Sequence, residues 1–242
     1  LEGIYDLSKQ WSGSFGEEFG KAFENYVNKL LNTYIPKKII DESKLKKFTD
    51  NKICDFIINF NDYIFLIECK GIEYSSHISS EGAIENDNST KKVSYAIEQL
   101  VSTANQIKDG VFEEIIGDYS HKKVIGSVIT YKHIYFANLK WYWDQIFSKS
   151  INKKIFNDTE ILFEYKPQIF SIDELEKLLL YKAQENKSIF DIFSDKLSQD
   201  ESSTGEWFSY LQLEDANANI PFLEEAFFNY KDKVIKDSKN RS

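Results

Sequence analysis

Two short β-rich runs joined by little more than a turn constrain this chain more than any other feature. They are ICDFII (residues 53–58) and YIFLIEC (residues 63–69), with Asn61-Asp62 between them. A two-residue Asn-Asp link is turn chemistry, and a turn of that length sets the register of a hairpin. In that register Phe60 faces Tyr63, Ile57 faces Leu66, Asp55 faces Glu68 and Cys54 faces Cys69. Facing residues have Cβ atoms roughly 4.5–5.5 Å apart. Side chains alternate along a strand, so Lys70 shares a face with Glu68, and Ile57 and Leu66 continue that face toward the turn. Two carboxylates opposite one another beside apolar surface oppose pairing unless a cation or a proton joins them. The register therefore predicts a metal site at the open end of the hairpin.

Around the hairpin the pattern is mixed. Ser14 and Glu17 have the form of a capping box, and Phe15, Phe19, Ala22, Phe23, Tyr26, Val27, Leu30, Leu31 and Tyr34 repeat with helical period. The spacing predicts a helix over 15–34, stopped by Pro36. Residues 72–90, rich in Ser, Asn and Gly, read as a loop, and residues 93–107 resume a helical period. Residues 124–131 read as a strand buried on both faces and 160–165 as another strand. Ser171 and Glu174 form a second capping box, opening a helix through residue 180. Beyond residue 181 the pattern is helical, interrupted by polar residues 198–205, with a last amphipathic helix over 221–235. The order of elements predicts an α/β fold with a C-terminal helical extension. There is no internal repeat and no heptad pattern.

A hard divalent cation, Mg²⁺ or Mn²⁺, suits two carboxylates, Asp55 and Glu68, with the Cys69 carbonyl completing the shell. Such an ion polarises a phosphoryl oxygen and acidifies bound water, and Lys70 beside it would assist that water or offset developing charge. The set resembles the core signature of the PD-(D/E)XK nuclease superfamily: Asp55, twelve residues, then Glu68-Cys69-Lys70. Gly20-Lys-Ala-Phe23-Glu24-Asn-Tyr26-Val27 is similar to the first helix of that fold, and Ser94-Tyr-Ala-Ile-Glu-Gln99-Leu100 to the helix that follows its signature. Cys54 stands where the name-giving Pro would be, a variable position. The resemblance covers roughly residues 15–180. It implies a restriction-endonuclease-like αβββαβ core with a mixed sheet flanked by helices, over residues 1–180. Residues 181–242 would be a helical extension packed on that domain or on a partner. It also implies Mg²⁺-dependent hydrolysis of phosphodiester bonds, DNA favoured over RNA, by an endonuclease, with restriction, phage defence, mobile elements and repair as the settings in which the superfamily serves. Glu24 would act through a water or a second ion, and Gln99 would hold Lys70 or a solvent molecule.

Plainer alternatives stand beside this. Glu68 and Lys70 could form an exposed ion pair at a strand end, worth about 0–1 kcal/mol. Glu24 and Gln99 could be surface residues of their helices, and the basic runs Lys37-Lys38, Lys44 to Lys47, Lys91-Lys92 and His121 to Lys123 could be solvated faces. His77, His121 and His133 have no partner at metal or triad spacing and read as structural or surface residues. Cys54 and Cys69 read as reduced, buried thiols. No glycine-rich phosphate loop is present, which excludes that route to an ATPase.

Composition bounds the partners. A net charge of −9 opposes a broad electrostatic hold on nucleic acid, and the one Arg, Arg241, removes the commonest specific base contact. Contacts should be Lys to phosphate, with low sequence specificity. A catalytically silent or partner-gated subunit, acting as a binding or scaffold module or as a homo-oligomer, is the rival reading. Trp207, Phe208, Phe222, Phe227 and Phe228 are the candidate interface for it, with packing on the parent domain as their ordinary role. No apolar run approaches the roughly 20 residues of a membrane span, and no basic-then-apolar leader opens the chain, so a cytoplasmic protein is expected. The chain begins at Leu1 and holds no Met, which reads as a fragment with further sequence ahead of it.

Overall fold

The computed structural model describes residues 15–36, 38–72, 81–198 and 207–211. Ser14 of the first capping box, Lys37, His77, Arg241 and the expected helix over 221–235 lie outside the described residues, as do Phe222, Phe227 and Phe228. The chain parts into two compact units, Leu1–Leu211 and Gln212–Ser242, and every described residue belongs to the first.

The protein is mixed α/β. Helix α1 (Phe15–Tyr34) leads into strand β1 (Ile39–Asp41) and the short α2 (Glu42–Leu45). The hairpin β2 (Phe56–Asn59) and β3 (Tyr63–Lys70) follows, then α3 (Glu81–Asn86), α4 (Asn88–Lys108) and α5 (Glu113–Ile116). After β4 (Lys123–Thr130) come a π-helical stretch (Tyr142–Phe147), α6 (Ser148–Ser150) and α7 (Lys153–Leu162). Strand β5 (Gln168–Ser171) feeds α8 (Ile172–Glu185), α9 (Ile189–Leu197) and α10 (Trp207–Tyr210). The sheet runs β1-β2-β3-β4-β5, antiparallel through β3 and parallel from β3 to β5.

The hairpin register is that set by the turn: Phe56 pairs with Ile67, Ile57 with Leu66, Ile58 with Phe65 and Asn59 with Ile64. Phe60 N–H closes the turn on the Tyr63 carbonyl at 3.0 Å. Strand β3 is covered on both faces. Leu66, Ile64 and Ile57 belong to the core that holds Val93, Ile97, Leu100 and Ala104 of α4. Phe65, on the other face, meets Phe193 of α9, which in turn meets Trp207. Each such side chain contributes about 1.5–3 kcal/mol by leaving water. Gly126 of β4 permits close packing above it, since a Cβ there would lie 2.8 Å from Phe163 Cε1.

Several expectations change. Residues 81–86 and 88–90, read as loop, are helical: Asp87 between them caps α4 by accepting from Ser89 N–H, and so starts the helix well before its apolar period begins. The strand expected over 160–165 is absent. Asn152 caps α7 instead, which carries Ile155, Phe156, Thr159 and Leu162 at helical spacing, and the edge strand forms at 168–171. Strand β1 is three residues long, too short to show a period. The Ser171–Glu174 capping box is formed in both directions, and α8 runs past residue 180 until Asn186 turns left-handed at φ 50°. No helix among the described residues is long and apolar enough to cross a membrane.

Candidate active site

The hairpin does not continue its ladder to its open end. Cys69 N–H points toward β2 and, in an unbroken ladder, would donate to the Cys54 carbonyl; it donates instead to Asp55 Oδ2 at 2.6 Å. Cys54 N–H, which would have served the Cys69 carbonyl, goes to Thr103 Oγ1 at 2.8 Å. Neither cysteine is in a disulfide; Cys54 is buried as expected but Cys69, near the strand end, is only half-buried, and desolvation with the neighbouring carboxylates pushes both thiols well above their ordinary range, so they stay protonated.

Helix α4 causes this break. A polar stripe on it engages the backbone just ahead of β2: Gln99 Nε2 donates to the Ile53 carbonyl at 3.1 Å, and Ser102 Oγ to the Lys52 carbonyl at 2.7 Å. Gln106 Nε2 donates to the same Lys52 carbonyl at 3.2 Å, while Thr103 takes Cys54. Residues 99, 102, 103 and 106 lie on one face of a helix, so these four act together. Asp55 then has its own carbonyl tied to Glu42 N–H at 2.8 Å, at the end of β1.

Glu68 and Lys70 project to the α4 side of β3. Lys70 Nζ forms an ion pair with Glu68 Oε1 and donates to Gln99 Oε1 at 3.0 Å. Glu68 is 1% exposed, and its Oε2 is buried without a hydrogen-bond partner among the described residues. Burial, followed by the neighbouring Asp55 charge, pushes its carboxyl up to about 8, against the opposing pull of Lys70. Asp55 is pushed up to about 6, mostly by burial, with the Cys69 N–H opposing and Glu24 and Glu42 adding to the rise.

Helix α1 reaches this end of the sheet because residue 71 is glycine: a Cβ there would sit 3.0 Å from Phe19 Cε1. Phe19 and Phe23 pack edge-on against Tyr131, just past the end of β4. Glu24 follows Phe23 and lies within electrostatic reach of Asp41, Glu42, Asp55 and Lys70; burial first, then Glu42 and Asp41, raise its carboxyl. The structure thus gathers Asp55, Glu68, Lys70, Cys69 and Gln99 by direct contact, and Glu24 by its field. Asp41 and Glu42 join them unforeseen. Asp41 caps α2 by accepting from Lys44 N–H, and the nearness of this segment follows from the β1 pairing.

The donor set fits a small hard cation. Two adjacent acids, one buried and one half-buried, resist ionising together, Glu68 Oε2 lacks a partner among the described residues, and the Cys69 carbonyl has lost its ladder donor. Among the described residues no group of three or more His, Cys, Asp and Glu is placed to enclose a metal. Mg²⁺ requires none, being held by one or two carboxylates while keeping several waters.

Other candidates fall outside this site. His133 Nε2 meets Glu174 Oε1 at 2.9 Å, and His121 is exposed near the hairpin turn. Trp207 is buried against Phe170 and Phe193, and Phe208 is half exposed beneath Lys177. Comparison with family models, curated proteins and solved structures finds no match, so the functional reading rests on the geometry and on the residues that carry it.

Proposed function

We propose that this chain is a Mg²⁺-dependent nuclease of the PD-(D/E)XK type, its sheet a restriction-endonuclease-like core, hydrolysing phosphodiester bonds with low sequence specificity and with DNA as the favoured substrate. The observation that carries the reading is the half-buried Asp55 beside the buried Glu68, with a lysine on one oxygen of Glu68 and, among the described residues, no partner on the other. Asp55, Glu68 and the Cys69 carbonyl would hold the ion. Bound there, Mg²⁺ would polarise a phosphoryl oxygen and acidify a bound water.

The chain's own residues supply the rest. An ammonium has three donors, and Lys70 gives two of them to Glu68 and Gln99. The third is left for the attacking water or for a phosphoryl oxygen gaining charge. Gln99 holds that ammonium in place while its own amide is fixed on Ile53. Glu24 would orient a solvent molecule from the α1 side. Asp55 is aimed by the Cys69 N–H, so its second oxygen keeps a constant direction.

The test is cleavage of supercoiled plasmid in Mg²⁺, Mn²⁺ or EDTA, with wild type and Glu68→Ala compared. Nicking that needs the metal and vanishes in the variant is the expected result. Cleavage in no condition, or equal cleavage by both proteins, overturns the assignment.

A further inference from the structure

Helix α4 buries almost its entire inner face, yet one turn before Gln99 it presents a large aromatic ring to solvent. Tyr95 is 55% exposed, and the Lys52 ammonium sits over its ring, 4.7 Å from the centroid. Lys91 and Lys92, both exposed, lie one turn further toward the N-terminus. Residues four apart on a helix have Cβ atoms about 5–6 Å apart, so Tyr95 stands one turn from Gln99, whose amide oxygen holds Lys70. Three lysines around an exposed ring are conspicuous in a chain of net charge −9. Lys52 is also held at its backbone, its carbonyl accepting from Ser102 and Gln106.

This surface combines what single-strand recognition needs: an aromatic face for a base and ammonium groups for the adjoining phosphates, placed beside the reacting groups. A base within a duplex has both faces covered by its neighbours, so only an unpaired or terminal base can lie on the ring. We infer that Tyr95 is a stacking platform for an unpaired base of the strand being cut, with Lys52, Lys91 and Lys92 receiving its phosphates. The inference rests on the nuclease reading of the neighbouring site, and it makes single-stranded or frayed nucleic acid the preferred substrate over an intact duplex.

The experiment is equilibrium binding by fluorescence anisotropy, with a labelled single-stranded DNA oligonucleotide and the corresponding duplex, in EDTA and again in Ca²⁺. Wild type, Tyr95→Ala, Tyr95→Phe and Lys52→Ala are compared; Tyr95 is exposed, so its variants keep the fold. Wild type should bind the single strand more tightly than the duplex. Tyr95→Ala should weaken single-strand binding by about 5- to 100-fold, and Tyr95→Phe by less than about twofold. Lys52→Ala should lower the slope of log K against log salt by about 0.7, one phosphate contact on a single strand. A duplex preference in both buffers, or Tyr95→Ala binding like wild type, overturns the inference. The two readings fail separately. Binding that depends on Tyr95 without metal-dependent cleavage of either the plasmid or the single-stranded oligonucleotide removes the nuclease and keeps the platform. Nicking that depends on Glu68 with no effect of Tyr95 does the reverse.

Discussion

The carboxylate of Asp55 takes the place of a backbone carbonyl, accepting from Cys69 N–H at 2.6 Å where the β2–β3 ladder would have continued. A side chain closing a ladder is tied to the strand it faces, so Asp55 and Glu68 approach by backbone logic and not by rotamer alone. Asn carries the same acceptor geometry without the charge. Asp55→Asn should therefore leave the urea midpoint unchanged or higher and abolish metal-dependent nicking. A variant that unfolds more readily than wild type would show that the carboxylate charge, and not its hydrogen bond, holds the strand end.

The raised acids carry a pH dependence of definite sign. Glu68 is pushed up to about 8 and Asp55 to about 6, both above their unfolded values of about 4. The folded state thus binds more protons than the unfolded one between about pH 4 and 8. Stability is fully present below that window and falls as pH rises through it. Without divalent metal, the protein should have a higher urea midpoint at pH 5 than at pH 8.5. Glu68→Gln should recover most of the loss at pH 8.5 and change little at pH 5.

Thr103 deserves the same test from the opposite side of the break. Its hydroxyl is the acceptor that draws Cys54 N–H away from the hairpin, while donating to the Gln99 carbonyl. Thr103→Val keeps the shape and leaves a buried N–H unpaired, at a cost of about 1–3 kcal/mol. Thr103→Ser should restore stability. Amide exchange at Cys69 should also quicken in the Val variant, because the strand end loses the anchor that orients Asp55.

Gln99→Leu removes the second acceptor from the Lys70 ammonium and the clamp on Ile53. Loss of such a supporting hydrogen bond should lower kcat by about 10- to 100-fold. KM should move little, since Gln99 acts through Lys70 and not on the substrate.

Gly126 is a packing test away from the site. A methyl there would meet the Phe163 ring at 2.8 Å, and overpacking of this kind costs about 1–3 kcal/mol. Gly126→Ala should lower the urea midpoint, and adding Phe163→Leu should return part of the loss. Two independent, additive losses would mean that the contact is not what constrains residue 126.

The hairpin was legible because a two-residue turn leaves one register, and Asp55, Glu68 and Lys70 come with it. The departure of Cys54 was not. It depends on Thr103, which is remote in sequence and looks like any helix-interior threonine. Asp41 and Glu42 carry no such signal, because the strand that brings them there owes its existence to β2 and not to its own three residues. The misplaced strand at 160–165 shows the weakness of short apolar runs: Ile161, Leu162 and Phe163 fit either period, and a cap at Asn152 decided between them.

Glu174 gathers the last described part of the chain. Its carboxylate completes the capping box of α8, meets His133, and accepts from the N–H groups of Trp207 and Phe208. The Trp207 indole, meanwhile, donates to Gln168 at the edge of β5. All five strands precede these donors in the chain. A chain ending ahead of residue 207 would therefore keep all five strands while leaving Phe170 and Phe193 without the indole and Glu174 without two donors.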